Sequence, residues 1–212
     1  MNLNTLSNMA TIKKKPARQT ETAPLKWAEA QTLLKLLKAD DKHETRLMFA
    51  IGFYTGLRIS DILRLTWGQI TGGTEVTVIE KKTGKSRRIQ INPDLALIIR
   101  EARKWLEGHG GLPSPGAHLF TSKRGPAIGA PLTVMGANIR IKETLEEYGV
   151  KTQNSSSHCL RKTFARRVYE ANGRSEDALI LLSQILNHTG PAMTRKYIGL
   201  TREVVAEAYM NL

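Results

Sequence analysis

The stretch Glu75-Val76-Thr77-Val78-Ile79-Glu80-Lys81-Lys82-Thr83-Gly84-Lys85-Ser86-Arg87-Arg88-Ile89-Gln90-Ile91 decides the fold class. Its two ends, Glu75 to Ile79 and Arg87 to Ile91, alternate apolar with polar residues, the period of a strand with one buried face. Lys82-Thr83-Gly84-Lys85 between them supplies a turn, so the stretch reads as an antiparallel hairpin with basic residues at its tip. Outward from it the spacing is helical. Trp27, Ala30, Leu33, Leu34 and Leu37 mark one face of a first helix that Asp40-Asp41 breaks, and Leu47 to Phe53 mark a second. Thr55-Gly56-Leu57-Arg58 then turns into a helix expected from Ser60 to Trp67, with Ser60 as N-cap. Downstream, Asn92-Pro93 caps a helix that reaches Gly108. A Gly- and Pro-rich span from 108 to 131 follows, and Thr133 caps a helix stopped by Gly149. Three more helices are expected: one starting near His158, one from Asp177 to Asn187 and one from Pro191 to Ile198. The whole reads as mainly α with a small antiparallel β-sheet, an α+β fold, without internal repeats.

With 212 residues the chain has room for one main domain and a small appendage. Lys and Arg number 32 against 19 Asp and Glu, a net charge of +13. So large a surplus points to a polyanionic partner, because phosphate contacts supply most of the non-specific binding energy to nucleic acid. The blander alternative is a basic protein whose charge only keeps it dispersed. Cys159 is the single cysteine, which excludes an intramolecular disulfide and a thiolate metal cluster. It reads as a small buried filler. No apolar run approaches the roughly 18 residues of a membrane span, and the start lacks the apolar stretch of a signal peptide. An intracellular, cytoplasmic protein without a membrane partner is therefore expected. Residues 1–24 carry Lys13-Lys14-Lys15-Pro16-Ala17-Arg18 and close on Pro24; they are expected to form a disordered basic arm, a DNA-backbone contact or a solvated linker. The folded domain is expected over 25–199, with a tail at 200–212.

Chemistry concentrates late in the chain. His158-Cys159-Leu160-Arg161 precedes Leu186-Asn187-His188, and Tyr197 follows. Two histidines, an arginine and a late tyrosine on a basic chain suggest phosphodiester chemistry with tyrosine as the nucleophile. Breaking a phosphodiester without a metal requires fixed cationic donors for the non-bridging oxygens, a base for the nucleophile and an acid for the leaving oxygen. No dense Asp/Glu/His cluster suits a pair of metal ions, so two-metal hydrolysis is disfavoured. Arginine suits the first task, because its planar fork grips two phosphate oxygens and stays charged. Arg58 follows a glycine turn at a helix start, where N–H groups and the dipole also favour an anion. Arg161 lies one helical turn after His158, on the same side.

These motifs resemble the catalytic domain of the tyrosine recombinases, the phage-integrase and Xer-like family. The resemblance runs from about Leu25 to the end. It is carried by Thr55-Gly56-Leu57-Arg58-Ile59-Ser60-Asp61-Ile62-Leu63, Lys82-Thr83-Gly84-Lys85, Ser157-His158-Cys159-Leu160-Arg161-Lys162-Thr163-Phe164-Ala165, and Leu186-Asn187-His188 with Tyr197. It implies a site-specific DNA recombinase of integrase or invertase type, needing neither metal, ATP nor any other cofactor. Tyr197 resembles the nucleophile that forms a 3′-phosphotyrosyl bond, Arg58 and Arg161 the pair that clamps the phosphate, and Lys82 the general acid, with Lys81 and Lys85 as rivals at the same turn. His158 would assist proton transfer, and His188 would bond the phosphate or act as a second acid/base. Asp61 matches an acidic buttress that orients the arginine or histidine; an ordinary i,i+3 ion pair with Arg58 is the alternative.

Phosphate contacts on double-stranded DNA are expected from Lys81, Lys85, Arg87 and Arg88 on the hairpin, Lys123 and Arg124 in the loop, and Lys162 and Arg166 beside the site. The family implies a homo-tetramer on two DNA sites, with the tail residues Val204, Val205, Ala208 and Leu212 docking on a neighbouring protomer or on their own domain. A bacterial or phage origin and a nucleoid-associated location follow from the same resemblance. Asn187 departs from it, standing where glycine is usual; asparagine tolerates left-handed backbone. The helical core-binding domain of the family has no room before Leu25, so a short recombinase and a catalytic fragment are both open. Two other readings share the pattern: a catalytically inactive DNA-binding regulator and a type IB topoisomerase-like DNA relaxing enzyme.

Overall fold

The computed structural model describes residues 22–123, 128–152, 154–200, 206, 209 and 210. The elements run α1 (Trp27–Ala39), α2 (His43–Thr55), α3 (Ile59–Ile62), α4 (Trp67–Thr71), β1 (Glu75–Ile79), β2 (Ser86–Gln90), α5 (Pro93–Gly108), α6 (Val134–Glu147), α7 (His158–Ala171), α8 (Glu176–Ile185) and α9 (Pro191–Tyr197). The architecture is mainly helical with one small antiparallel sheet, as the periodicities predict.

Helix α2 lies at the centre. Arg46 to Phe53 are all buried, the mark of a helix packed on every side. Helices α1, α5 and α7 surround it. Alternation in the hairpin sends Val76, Val78 and Ile89 into the same core, with Glu75 paired to Gln90 and Ile79 to Ser86. A second, smaller cluster joins Ala165, Tyr169, Ala178, Leu179, Leu182, Leu186, Ile198 and Leu200. Helix α7 serves both, since Leu160 packs into the first cluster and Ala165 and Tyr169 into the second. Local caps follow the sequence: the Asn92 side chain accepts from the Leu95 N–H, Thr133 from Gly136 and Ser175 from Ala178.

Three expectations need correction. The helix expected from Ser60 to Trp67 is two short helices, with Arg58 rather than Ser60 at the N-cap of α3. Leu63, Leu65 and Trp67 are all buried, a spacing of two that no single helical face can hold. The backbone between α3 and α4 pairs instead with the Gly/Pro-rich span: the Leu119 N–H donates to the Leu65 carbonyl and the Trp67 N–H to the Ala117 carbonyl, each at 3.0 Å. Second, β2 begins at Ser86, one residue early. Third, residues before Leu25 already pack against the domain. The Thr22 hydroxyl is buried and donates to the Asn154 carbonyl at 2.9 Å, while the Leu25 N–H donates to Thr163 Oγ1. The rest of the expected basic arm, 1–21, lies outside the described residues, as do the tail positions Val204, Val205, Ala208 and Leu212. No helix among the described residues is long and apolar enough to cross a membrane.

The crossing of α2 and α7 is close because Gly52 has no side chain; an added Cβ would lie 2.7 Å from Leu160 Cβ. Gly52→Ala is therefore expected to destabilise the domain by about 1–3 kcal/mol, the usual cost of overpacking. A lower urea midpoint at unchanged slope is the measurement that checks it.

Candidate active site

Four segments far apart in sequence converge where the two clusters meet: the end of α2 with α3, the hairpin turn, the start of α7, and the link between α8 and α9. Gly56 sets the first. It takes a left-handed conformation, φ 61°, which ends α2 and sends the chain into α3 with Arg58 at its N-cap. A side chain there would strike the Phe164 ring as well.

Arg161 is the centre of the site and is nearly inaccessible, at 3% exposure. Its guanidinium donates to the Gly56 carbonyl and, at 2.8 Å, to the Leu186 carbonyl. Those acceptors hold it from both sides. Burial lowers its pKa, with the like charge of Arg58 adding to the effect. Arg58 is partly exposed and donates from Nη1 to Glu80 at 2.8 Å. Arg87 also turns inward, donating to the Thr55 carbonyl at 2.7 Å, with Nη1 3.8 Å from Glu80. Burial, together with Arg161, drops its pKa to about 10.

Glu80 offsets this crowd of positive charge. Its carboxylate is 1% exposed and accepts from Arg58, from Thr83 Oγ1 at 2.9 Å and from Asn187 Nδ2 at 3.2 Å. Burial alone would raise its pKa, but the bonds from Asn187, Thr83 and Arg58 outweigh it and hold the carboxyl below the ordinary range. Asp61, the expected buttress, does a different job. It is buried, and its Oδ1 accepts the Lys81 backbone N–H at 2.9 Å, which pins the start of the lysine turn. Its carboxylate bonds neither the Arg58 guanidinium nor a histidine, and Glu80 takes the Arg58 contact instead.

Both histidines and the tyrosine border the arginines. His158 opens α7 and remains exposed; partial burial, then Arg161, Lys162, Arg58 and Lys82, lower its pKa. His188 has Nδ1 2.9 Å from Thr194 Oγ1 and its ring 5.1 Å from that of Tyr197, edge to face. Burial and the charges of Arg161 and Arg58 drive its pKa down to about 4. Tyr197 ends α9, with its hydroxyl buried against the Arg161 guanidinium but making no well-aligned hydrogen bond. Burial raises its pKa, while Arg161 and Arg58 pull the other way. Lys82 sits exposed in the turn. Together these groups form a cationic pocket holding two histidines that are neutral near pH 7 and a buried phenol that faces Arg161. An oxyanion fits that pocket.

The residues expected along DNA divide. Lys162 is 8% exposed and sits over the Tyr197 ring at 5.3 Å, so it lies beneath the tyrosine rather than on the surface. Arg87 is inward, as described. Arg166 pairs with Glu170 one turn on at 2.8 Å, Lys123 with Glu44 at 2.9 Å, and exposed Arg88 approaches Glu75 at 3.5 Å. Lys81 and Lys85 are exposed in the turn, and Arg124 lies outside the described residues. Sequence reading missed Glu80 and Thr194. Glu80 left a signal, since it continues the inward positions Val76 and Val78 and puts an acid where the pattern calls for an apolar residue. Thr194 left none. Cys159 is fully buried, its thiol pushed up to about 12 by burial, in line with an inert filler. Among the described residues no His/Cys/Asp/Glu group is arranged to hold a metal ion.

The pattern of the phage integrase family matches residues 25–203. The probable integrase/recombinase YoeC of Bacillus subtilis (strain 168) is 31% identical over 162 residues, covering 76% of this chain and 81% of that protein. Tyrosine recombinase XerC of Xanthomonas campestris pv. campestris (strain B100) is 25% identical over 77% of this chain and 47% of its own length. Among solved structures, the site-specific recombinase XerH bound to palindromic difH substrate in a post-cleavage complex superimposes with a TM-score of 0.66 at 22% identity. That match covers 88% of this chain and 51% of XerH, and it shows a common fold. The chain thus spans about half the length of XerC and of XerH.

The depressed His188 makes the domain acid-sensitive. Above pH 6.5 the ring is neutral in both states. As pH falls from 6.5 towards 4, the unfolded chain binds a proton that the folded one refuses, so stability declines across that window. His188→Gln is expected to flatten the fall of unfolding free energy between those pH values, measured by denaturant titration at a series of pH.

Proposed function

The chain belongs to the phage integrase family, and we propose that it is a site-specific DNA recombinase, of integrase or invertase type, acting through a 3′-phosphotyrosyl bond to Tyr197. The observation that carries this reading is the buried Tyr197 hydroxyl, which faces the Arg161 guanidinium beside the edge-on His188 ring. A phenol in that setting lacks only the phosphate.

A scissile phosphate entering the pocket would take the free donors of Arg58 and Arg161 on its non-bridging oxygens, where charge builds in the transition state. His188 Nδ1 lies 2.9 Å from Thr194 Oγ1, and in the tautomer where that hydroxyl donates to Nδ1 the hydrogen on Nε2 can donate to the same phosphate. His158 has a lowered pKa and is neutral near pH 7, ready to accept the phenolic proton. The Tyr197 oxygen then bonds to phosphorus as the bond to the 5′ oxygen breaks. Lys82, on the exposed turn, supplies a proton to that departing oxygen. The phosphotyrosine conserves the bond energy, so a second 5′ hydroxyl can reverse the step without ATP or a metal ion.

XerH is a site-specific recombinase captured on its difH substrate, and we extend to this chain a double-stranded DNA substrate read as a specific site. Lys81, Lys85 and Arg88 are exposed on the hairpin beside Lys82, and they are the backbone contacts we assign there. Four protomers on two DNA sites is the assembly we propose for strand exchange, in the cytoplasm where that DNA lies.

Incubating the protein with a randomised library of nicked duplexes, in the presence of a chelator, tests the reading. Covalent adducts sharing one sequence are expected from the wild type and none from Tyr197→Phe. An adduct that persists in the phenylalanine variant would overturn the nucleophile. Adducts with every sequence, alongside relaxation of any supercoiled plasmid, would favour the topoisomerase reading; retained DNA binding with no adduct would favour the regulator. With the recovered site, Arg58→Lys is expected to slow adduct formation by roughly 100-fold or more, since an ammonium keeps the charge and loses the fork.

A further inference from the structure

Asn187 is in a left-handed conformation, φ 53°, immediately before His188. A glycine would meet that backbone demand with less strain, so the amide side chain needs another reason. The structure supplies one. Asn187 Nδ2 donates to Glu80 at 3.2 Å and lies 3.4 Å from Thr83 Oγ1, while Lys85 Nζ lies 3.4 Å from Asn187 Oδ1. One side chain thus reaches three residues of the lysine hairpin, about a hundred positions upstream. Its orientation follows from its neighbours, with the NH2 group on a carboxylate and the oxygen on an ammonium.

Glu80 closes the link. The carboxylate that takes the Asn187 amide also takes Arg58 Nη1 and the Thr83 hydroxyl, and its backbone accepts the Gly84 N–H and donates to the Lys85 carbonyl. The same acid is therefore tied to the arginine, to both ends of the turn that carries Lys82, and to the segment that carries His188. Asp61 anchors the turn from another direction, through the Lys81 N–H. Apart from this link the turn is exposed from Lys81 to Ser86.

We propose that Asn187 and Glu80 form a latch that holds the Lys82 turn against the His188–Tyr197 segment, making both of them positioning residues for the cleavage step. The proposal rests on the recombinase reading for its consequence but not for its existence. The latch acts through geometry: a proton donor on a loose turn is delivered to the leaving oxygen less often, while DNA affinity, set by the cationic surface, changes little. Asn187 also reports on the His188 backbone, so the two halves of the site are registered through one amide.

Two measurements test it. In the protein without DNA, Asn187→Gly keeps the left-handed backbone and removes only the amide, and hydrogen exchange at Lys81 to Lys85 should quicken while exchange in α2 stays the same. Unchanged exchange in the turn would overturn the latch, whatever the protein does to DNA. On the captured site, single-turnover adduct formation at saturating DNA should slow on the order of tenfold in Asn187→Gly, the scale of one lost hydrogen bond to a charged group, with affinity retained. Faster exchange combined with an unaltered cleavage rate would overturn the positioning role. Asn187→Asp should be worse than glycine, because it sets a second carboxylate against Glu80, and adding Glu80→Gln should recover most of that loss by restoring one amide and one carboxylate. A purely structural part for Asn187 predicts no such rescue. If the wild type forms no adduct on any DNA, the recombinase reading fails, and the exchange result still decides whether the latch exists.

Discussion

The site depends on one buried guanidinium. Arg161 has given up its water and is repaid by the carbonyls of Gly56 and Leu186, the buried C-terminal ends of two helices belonging to different clusters. Helix ends leave such carbonyls without intrahelical donors, and an arginine fork can serve two of them at once. Through this contact the ends of α2 and α8 are fixed to α7. Arg58 follows one of those ends by two residues and His188 follows the other by two, so a single cation sets the distance between the two halves of the pocket. Removing it would leave orphaned carbonyls in place of the charge, a costly change in a buried setting.

That arrangement concentrates like charge. Beyond burial, Arg58 and Arg161 lower the pKa of Arg87 and of both histidines, and Arg58 lowers that of Arg161. Two acids make the concentration tolerable without cancelling it. Glu80 takes one arginine directly, and Asp61 sits within the group while bonding the backbone of the turn. The resulting field lowers the affinity of both histidines for protons and opposes the burial that raises the Tyr197 phenol. A pocket so tuned favours an anion over any neutral ligand.

Much of the fold is legible along the chain because its signals are local. The alternation of Val76, Val78 and Ile89 marks the hairpin, and Asn92, Thr133 and Ser175 are side-chain caps at helix starts. The segment after Arg58 is not legible in this way. Its helix breaks because residues 65 to 67 pair with 117 to 119, and no window of sequence contains both partners. The site divides similarly. Arg58, Lys82, His158, Arg161, His188 and Tyr197 stand out by motif and spacing, and the structure brings their segments to one pocket. Lys162 and Arg87 look like surface cations in sequence, since nothing local distinguishes a lysine under a tyrosine ring from one in water.

The sequence by itself determined the residue types, the secondary-structure periods and the candidate set, because these depend on spacing within one helix or one hairpin. Tertiary structure alone decided which carboxylate meets Arg58. Asp61, three residues away, has the spacing for an ion pair, yet its Oδ1 accepts the Lys81 N–H, its Oδ2 has no partner, and Glu80, just past the end of β1, takes the arginine. It also decided that Asn187 reaches the hairpin and that the Tyr197 hydroxyl is buried facing Arg161. The physical reason is the same in each case. Hydrogen bonds are satisfied by whichever group packing brings within about 3 Å, and across the 22 residues from Arg58 to Glu80 or the 107 from Glu80 to Asn187 only the assembled core fixes that distance.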